Sequence, residues 1–234
     1  MDETVRLWYV ATCSHLISMG ALDPPHFIRA VELFPKDPDL LFLRGVLHEA
    51  MASVRRQSAM RKADVPAGVS FAMGTRGDEL LLAERFLERA LEASPEFHEA
   101  RIRYGRVLGE RRHHEEAVRV LEKANSAPGQ LLQYYAALFL GGELEALGKD
   151  GDARRAYERA AELFPTAQSP RLGLSRVTAG RDRAAARETL LKLVEQEPQS
   201  ETRDDPWWVY DIAAGRGADL ALTALHNAIE SDGR

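Results

Sequence analysis

The chain has 234 residues, 45% hydrophobic and 29% charged, with a formal net charge of -5 at neutral pH. That balance fits an ordinary soluble protein and gives no basic surplus for nucleic acid; no apolar run reaches the roughly 18 residues a membrane helix needs. Cys13 is the only cysteine, which excludes an intramolecular disulfide and a cysteine-based metal cluster. The start, Met1-Asp2-Glu3, is acidic where a secretory leader would be basic. The cytoplasm is therefore the default compartment, with an extracytoplasmic location open if a leader once preceded Met1.

In chain order, the pattern predicts helices over 4–19 and 24–34, the second with Asp23 as N-cap and Pro24 in first position. A third runs over 38–53, capped by Asp37. After an interruption come helices over 78–93, 95–111, 114–125, 129–147, 150–164, 169–179, 183–197 and 218–230. No stretch alternates with period two, so the expected class is all-α.

The helices repeat. Ala83, Ala117, Ala153 and Ala186 fall 33 to 36 residues apart, and the residue four later is Leu87, Leu121, Tyr157 or Leu190. Gly105 and Gly141 precede two of these units, and Pro35, Pro95, Pro165 and Pro198 follow second helices. A period near 34 built of two helices marks a helical solenoid. The small residues let paired helices approach, and the large one fills the adjoining groove. In the clearest unit Gly141 is expected to face Ala153. Leu140-Gly141, Ala153-x-x-x-Tyr157-x-x-Ala160 and Pro165 resemble the tetratricopeptide repeat (TPR) consensus, and partial matches extend over residues 20 to 200. The resemblance implies a right-handed solenoid of about five hairpins plus a C-terminal capping helix, with Gly45, Gly105 and Gly141 at close crossings.

Two segments break the period. An insert over 54–77, inside one hairpin, carries Arg55, Arg56, Arg61 and Lys62, then Val69, Phe71 and Met73. So long a loop is usually functional or disordered. Its apolar residues are expected to dock, either over the mouth of the groove, with Phe71 in place of a peptide, or on the hairpin edge. The second break is Asp204-Asp205-Pro206-Trp207-Trp208-Val209-Tyr210. It divides the chain into a solenoid over 1–203 and an aromatic segment with a capping helix over 204–234. Its aromatics either seal the last hairpin, since a terminal repeat exposes an apolar face, or form a hook for a partner. A similar Asp-Pro-Trp-Trp-x-Tyr ending occurs in uncharacterised bacterial repeat proteins that this chain resembles.

In the TPR family the first helix of each pair lines a concave face. Carried over, its inward positions select Phe42, Leu43, Val46 and Glu49, then Ile102, Arg103, Arg106 and Glu110. The next hairpins add Tyr135, Leu138, Phe139 and Glu145, then Gln168, Arg171, Leu172 and Ser175. Arg103, Arg106 and Arg171 beside Tyr135 and Phe139 form a cationic and aromatic groove suited to an acidic or C-terminal peptide. The Lys and Asn of the family's two-carboxylate clamp are missing.

Chemistry is sparse. Adjacent His113 and His114 point in different directions on a helix start and lack the i, i+4 partner of a metal pair. His48-Glu49 and His98-Glu99 have no third group nearby in sequence. No cofactor, metal or catalytic residue is expected, nor a nucleic-acid or membrane partner. The expected function is a non-catalytic scaffold binding a protein or peptide. The alternatives are a homo-oligomer or filament subunit, associating through solenoid ends or Trp207 and Trp208, and an accessory domain of a larger bacterial protein.

Overall fold

A computed structural model describes residues 3–20, 24–53, 74–195, 205–210 and 218–232. Among these, every regular element is helical: eleven α-helices and one 3-10 turn. They form two compact units, residues 1–100 with 210–234, and residues 101–209.

The first unit holds α1 (Glu3–Ser18), α2 (Pro24–Leu33), α3 (Pro38–Met51), α4 (Arg76–Ala93), the first residues of α5 (His98–Glu110) and α11 (Ala218–Asp232). Helix α3 is apolar nearly all round because neighbours cover it on several sides. Leu40, Leu41, Phe42, Leu43, Val46 and Leu47 are buried, and α1, α2 and α4 pack against it. Asp37 caps it, accepting from the Leu40 N–H at 2.9 Å. Helix α11 packs on α1.

The second unit holds the rest of α5, then α6 (His114–Glu122), α7 (Gln130–Ala146), α8 (Asp150–Leu163), α9 (Gln168–Ala179), α10 (Arg183–Glu195) and the 3-10 turn Pro206–Val209. Here α7 is the central helix, flanked by α6, α8 and α9.

The repeat rule works through one contact. A Cβ added at Gly45 would lie 2.7 Å from Leu87, one at Gly105 2.6 Å from Leu121, and one at Gly141 2.7 Å from the Tyr157 ring. Each glycine thus lies against the large residue one turn beyond the recurring alanine. Gly141 faces Tyr157 rather than Ala153, because the ring is what needs the missing Cβ. Gly173 gives the same ring room on its other side, where a Cβ would lie 2.5 Å from Cζ.

Helix ends differ from the pattern by a few residues. Pro95 opens a turn, not helix α5: the Phe97 N–H returns to the Ser94 carbonyl at 3.1 Å. Pro35 and Pro165 occupy matching turns, closed by Asp37 to Phe34 and Ala167 to Phe164. Proline suits the second position of such a turn, where its fixed φ is already correct. Helix α4 starts two residues before the expected Asp78 because Thr75 and Asp78 form a reciprocal capping box. Helix α6 stops at Glu122, short of the expected Asn125. Asp23 and residues 54–73, with Arg55, Arg56, Val69, Phe71 and Met73, lie outside the described residues.

Candidate functional site: a groove on the second unit

Helix α7 supplies the floor. Tyr134, Tyr135, Leu138 and Phe139 stand on adjoining turns, and Tyr135 and Phe139 stack with planes 8° apart and centroids at 6.0 Å. Against them lies the segment beginning at Asp205. Its carboxylate is buried, 3% exposed, and accepts from the Tyr134 hydroxyl at 2.6 Å and from the Ser169 N–H at 2.7 Å. Burial first, then the bond to Asp205, pushes the Tyr134 phenol well above its usual range, so it stays a donor.

Ser169 lies in the first turn of α9, whose cap position is Ala167, with no side-chain acceptor of its own. A helix start must find acceptors for its free N–H groups; here one comes from 36 residues downstream. The next residue is held as well, since the Tyr135 hydroxyl donates to the Pro206 carbonyl at 2.8 Å. Trp207 follows. The Arg106 guanidinium lies 4.5 Å from its ring centroid, and Phe139 meets it edge-on at 5.7 Å. Carboxylate, carbonyl and indole are each met by a different side chain.

Beyond Trp207 the groove continues. A concavity of about 460 Å³ is lined by Arg106, Glu110, Leu138, Phe139, Leu172 and Arg176, among others. Its charges are arranged in pairs: Arg106 with Glu110 at 3.1 Å and Arg176 with Glu145 at 2.8 Å. Burial raises the Glu145 carboxyl, but hydrogen bonds from Arg176 and Tyr157 outweigh it and hold it below the usual range.

Of the sequence-selected residues, Arg106, Glu110, Leu138, Phe139 and Leu172 come together on this wall. Tyr135 lies beneath the Asp205–Trp207 segment, its hydroxyl already used. Arg103 is 2% exposed and so belongs to the interior. Arg171 is half-buried, and its guanidinium donates to the Pro165 carbonyl. Phe42 and Glu49 fall in the first unit. There Phe42 packs on Phe97 at 4.7 Å, and Glu49 accepts from the Tyr210 hydroxyl at 3.0 Å. Trp208 is 53% exposed.

Two histidines have acidic partners that sequence proximity did not show. His48 Nδ1 lies 2.7 Å from Glu79 in the first unit, stacked on Phe86. His114 Nδ1 lies 2.7 Å from Glu143 in the second. Burial raises the Glu143 carboxyl above its usual range. No group of three metal-ligating side chains occurs among the described residues, and none of their helices is long and apolar enough to cross a membrane.

Asp205, Tyr134 and Ser169 were missed in the sequence. The available signal was the start of α9: Ala167-Gln168-Ser169 puts no polar cap where a helix begins, so the acceptor had to come from elsewhere.

No protein-family profile and no curated protein matches the chain. Solved structures do. MamA (residues 41 to the end) from Desulfovibrio magneticus RS-1 is 18% identical, with a TM-score of 0.63 over 84% of this chain and 97% of that one. PilF of Pseudomonas aeruginosa is 18% identical, with a TM-score of 0.62 over 95% and 92%. YrrB, described as a TPR protein with an unusual peptide-binding site, is 18% identical, with a TM-score of 0.58 over 92% and 89%. At such identities the likeness concerns the fold, and the fold is the TPR-like helical-hairpin solenoid.

Proposed function

We propose that this protein is a non-catalytic interaction scaffold that holds a partner protein by a short peptide segment in the groove of the second unit. The observation that carries this is the seating of residues 205–207. A single 3-10 turn, capped by Asp205, lies across first helices of successive hairpins and is gripped side chain by side chain, as a short peptide ligand would be. The unfilled concavity beside Trp207, walled by Leu138 and the exposed Leu172, leaves space for further ligand residues. A fold shared with YrrB, a protein described by its peptide-binding site, is in keeping with it.

Selection of a displayed random-peptide library tests the proposal. Peptides enriched on the full-length protein should lose binding to Leu138→Glu, a change on the groove wall, while the variant keeps its helical circular dichroism. Enriched peptides that bind both proteins equally, or no enrichment, would overturn it.

A second reading rests on the first unit. Trp8, Met19, Ile28, Leu220, Leu222 and Ile229 are all exposed there, on α1, its end, α2 and α11. Such an apolar surface suits self-association into an oligomer. Light scattering over a concentration series, with Leu220→Asp as control, decides it: a constant monomer mass removes this reading.

A further inference from the structure

The tail segment has the contacts of a ligand, and they specify a chemistry. Asp205 supplies a carboxylate, shared by the Tyr134 hydroxyl, the first turn of α9 and its own Trp207 N–H. Pro206 presents a carbonyl to Tyr135. Trp207 offers an indole to Arg106 and Phe139. Arginine here takes an aromatic face, while the carboxylate goes to a phenol and a helix N–H. Both choices are sound: a guanidinium over an indole gains electrostatic attraction, and an anion at a helix start meets free N–H donors and the positive end of the dipole.

We propose that this groove takes from a partner protein a segment of the same chemistry, a carboxylate followed by a proline and a tryptophan, and that the chain's own residues 205–207 hold the site as a displaceable internal ligand. This rests on the scaffold function proposed above. A permanent seal would bury all of its aromatics. Tyr210 is buried, but Trp208 is 53% exposed beside Trp207, and the groove runs on past the indole along Leu138, Leu172 and Arg176. Because it belongs to the same chain, the internal segment competes at an effective concentration on the order of millimolar, so a bare mimic competes poorly with it. A partner prevails by adding contacts in the unfilled part of the groove, which makes the internal ligand a filter for specificity. The apparent affinity for any outside segment falls by the fraction of chains whose site is free.

The test uses the full-length chain and a blocked, fluorescein-labelled peptide, Asp-Asp-Pro-Trp-Trp-Val, matching residues 204–209. Trp207→Ala weakens the internal ligand, so the peptide should bind this variant at least tenfold more tightly than the wild type by fluorescence polarisation. Adding Phe139→Ala should abolish that gain, as should replacing the peptide's first tryptophan by alanine. Equal binding to wild type and variant, or a gain that survives Phe139→Ala, overturns the proposal. Should Trp207→Ala fail to fold, wild-type protein carrying 5-fluorotryptophan decides. Millimolar peptide should shift the Trp207 resonance, assigned with Trp207→Phe, and no shift overturns the proposal. Dimers lost in Trp207→Phe, with no peptide binding, would make the occupant a second copy and also overturn it. Library-selected groove ligands of unrelated chemistry would leave the scaffold standing and remove only this specificity.

Discussion

Replacing Gly141 by alanine should destabilise the second unit even though alanine is the better helix former. The new Cβ would lie 2.7 Å from two carbons of the Tyr157 ring, whereas carbon atoms rest at about 3.5–4.0 Å. Roughly 1 Å of clearance must be found. The ring cannot yield toward α9, because Gly173 already lies against its far side. Its hydroxyl is held too, donating to Glu145 at 2.7 Å and accepting from Arg176 at 3.1 Å. Overpacking of this kind costs about 1–3 kcal/mol, and removing a helical glycine returns about 1 kcal/mol. The net loss is about 0–2 kcal/mol, and with the ring pinned on both sides it should fall in the upper half of that range, read by urea unfolding followed with circular dichroism. Tyr157→Ala alone costs more, about 3–5 kcal/mol, but in that background the clash is gone and Gly141→Ala should turn stabilising. The change of sign is the signature. Equal destabilisation in both backgrounds would refute the contact, and so would a stabilising Gly141→Ala in the wild type.

Other perturbations follow from single contacts. Asp205→Ala removes the acceptor at the start of α9, so the Ser169 amide should exchange hydrogen at least tenfold faster; unchanged protection would show that α9 does not depend on Asp205. Thr75→Ala breaks the capping box of α4 and should cost about 1 kcal/mol in urea unfolding, against no change if the cap is idle. Burial holds the His48 imidazole below its usual range, its bond to Glu79 opposing that shift. A group neutral in the fold and free to charge when unfolded contributes stability that is full above about pH 6.5 and is lost as pH falls through the lowered folded value. His48→Gln should therefore flatten the loss of stability as pH falls below about 6.5; an identical slope would assign that loss to other groups. Gly109→Ala would place a Cβ 2.0 Å from Glu143 Oε1, so the His114 ring should lose its partner and shift its NMR resonances, whereas unmoved resonances would contradict the geometry.

The repeat was legible because each marker acts at short range. Gly45, Gly105 and Gly141 admit a large residue of the next helix, and Pro35, Pro95 and Pro165 close the turns; both leave a period in the sequence. The same period located five groove residues, Arg106, Glu110, Leu138, Phe139 and Leu172. It did not separate them from Arg103, which has the same spacing and lies buried, because periodicity tells which residues share a helix face and not how deep each sits. Asp205 was illegible for another reason. Its partners lie 71 and 36 residues away, and one of them is a backbone N–H that leaves no mark in residue type. The pairing of His48 with Glu79, 31 residues apart across a hairpin, is hidden in the same way. The Asp-Pro-Trp-Trp run stood out as unusual, but nothing in it told which helices it meets.

The most direct measurement is photo-crosslinking in living cells of the source organism. Benzoylphenylalanine is placed at Leu172, which is 43% exposed on the groove wall, or at Glu116 on α6, away from that wall. A peptide-binding scaffold predicts a discrete protein adduct from position 172 that is absent from position 116 and is lost when Leu138→Glu is added. Adducts of equal yield from both positions, or a position-172 adduct that survives Leu138→Glu, would contradict binding through the groove.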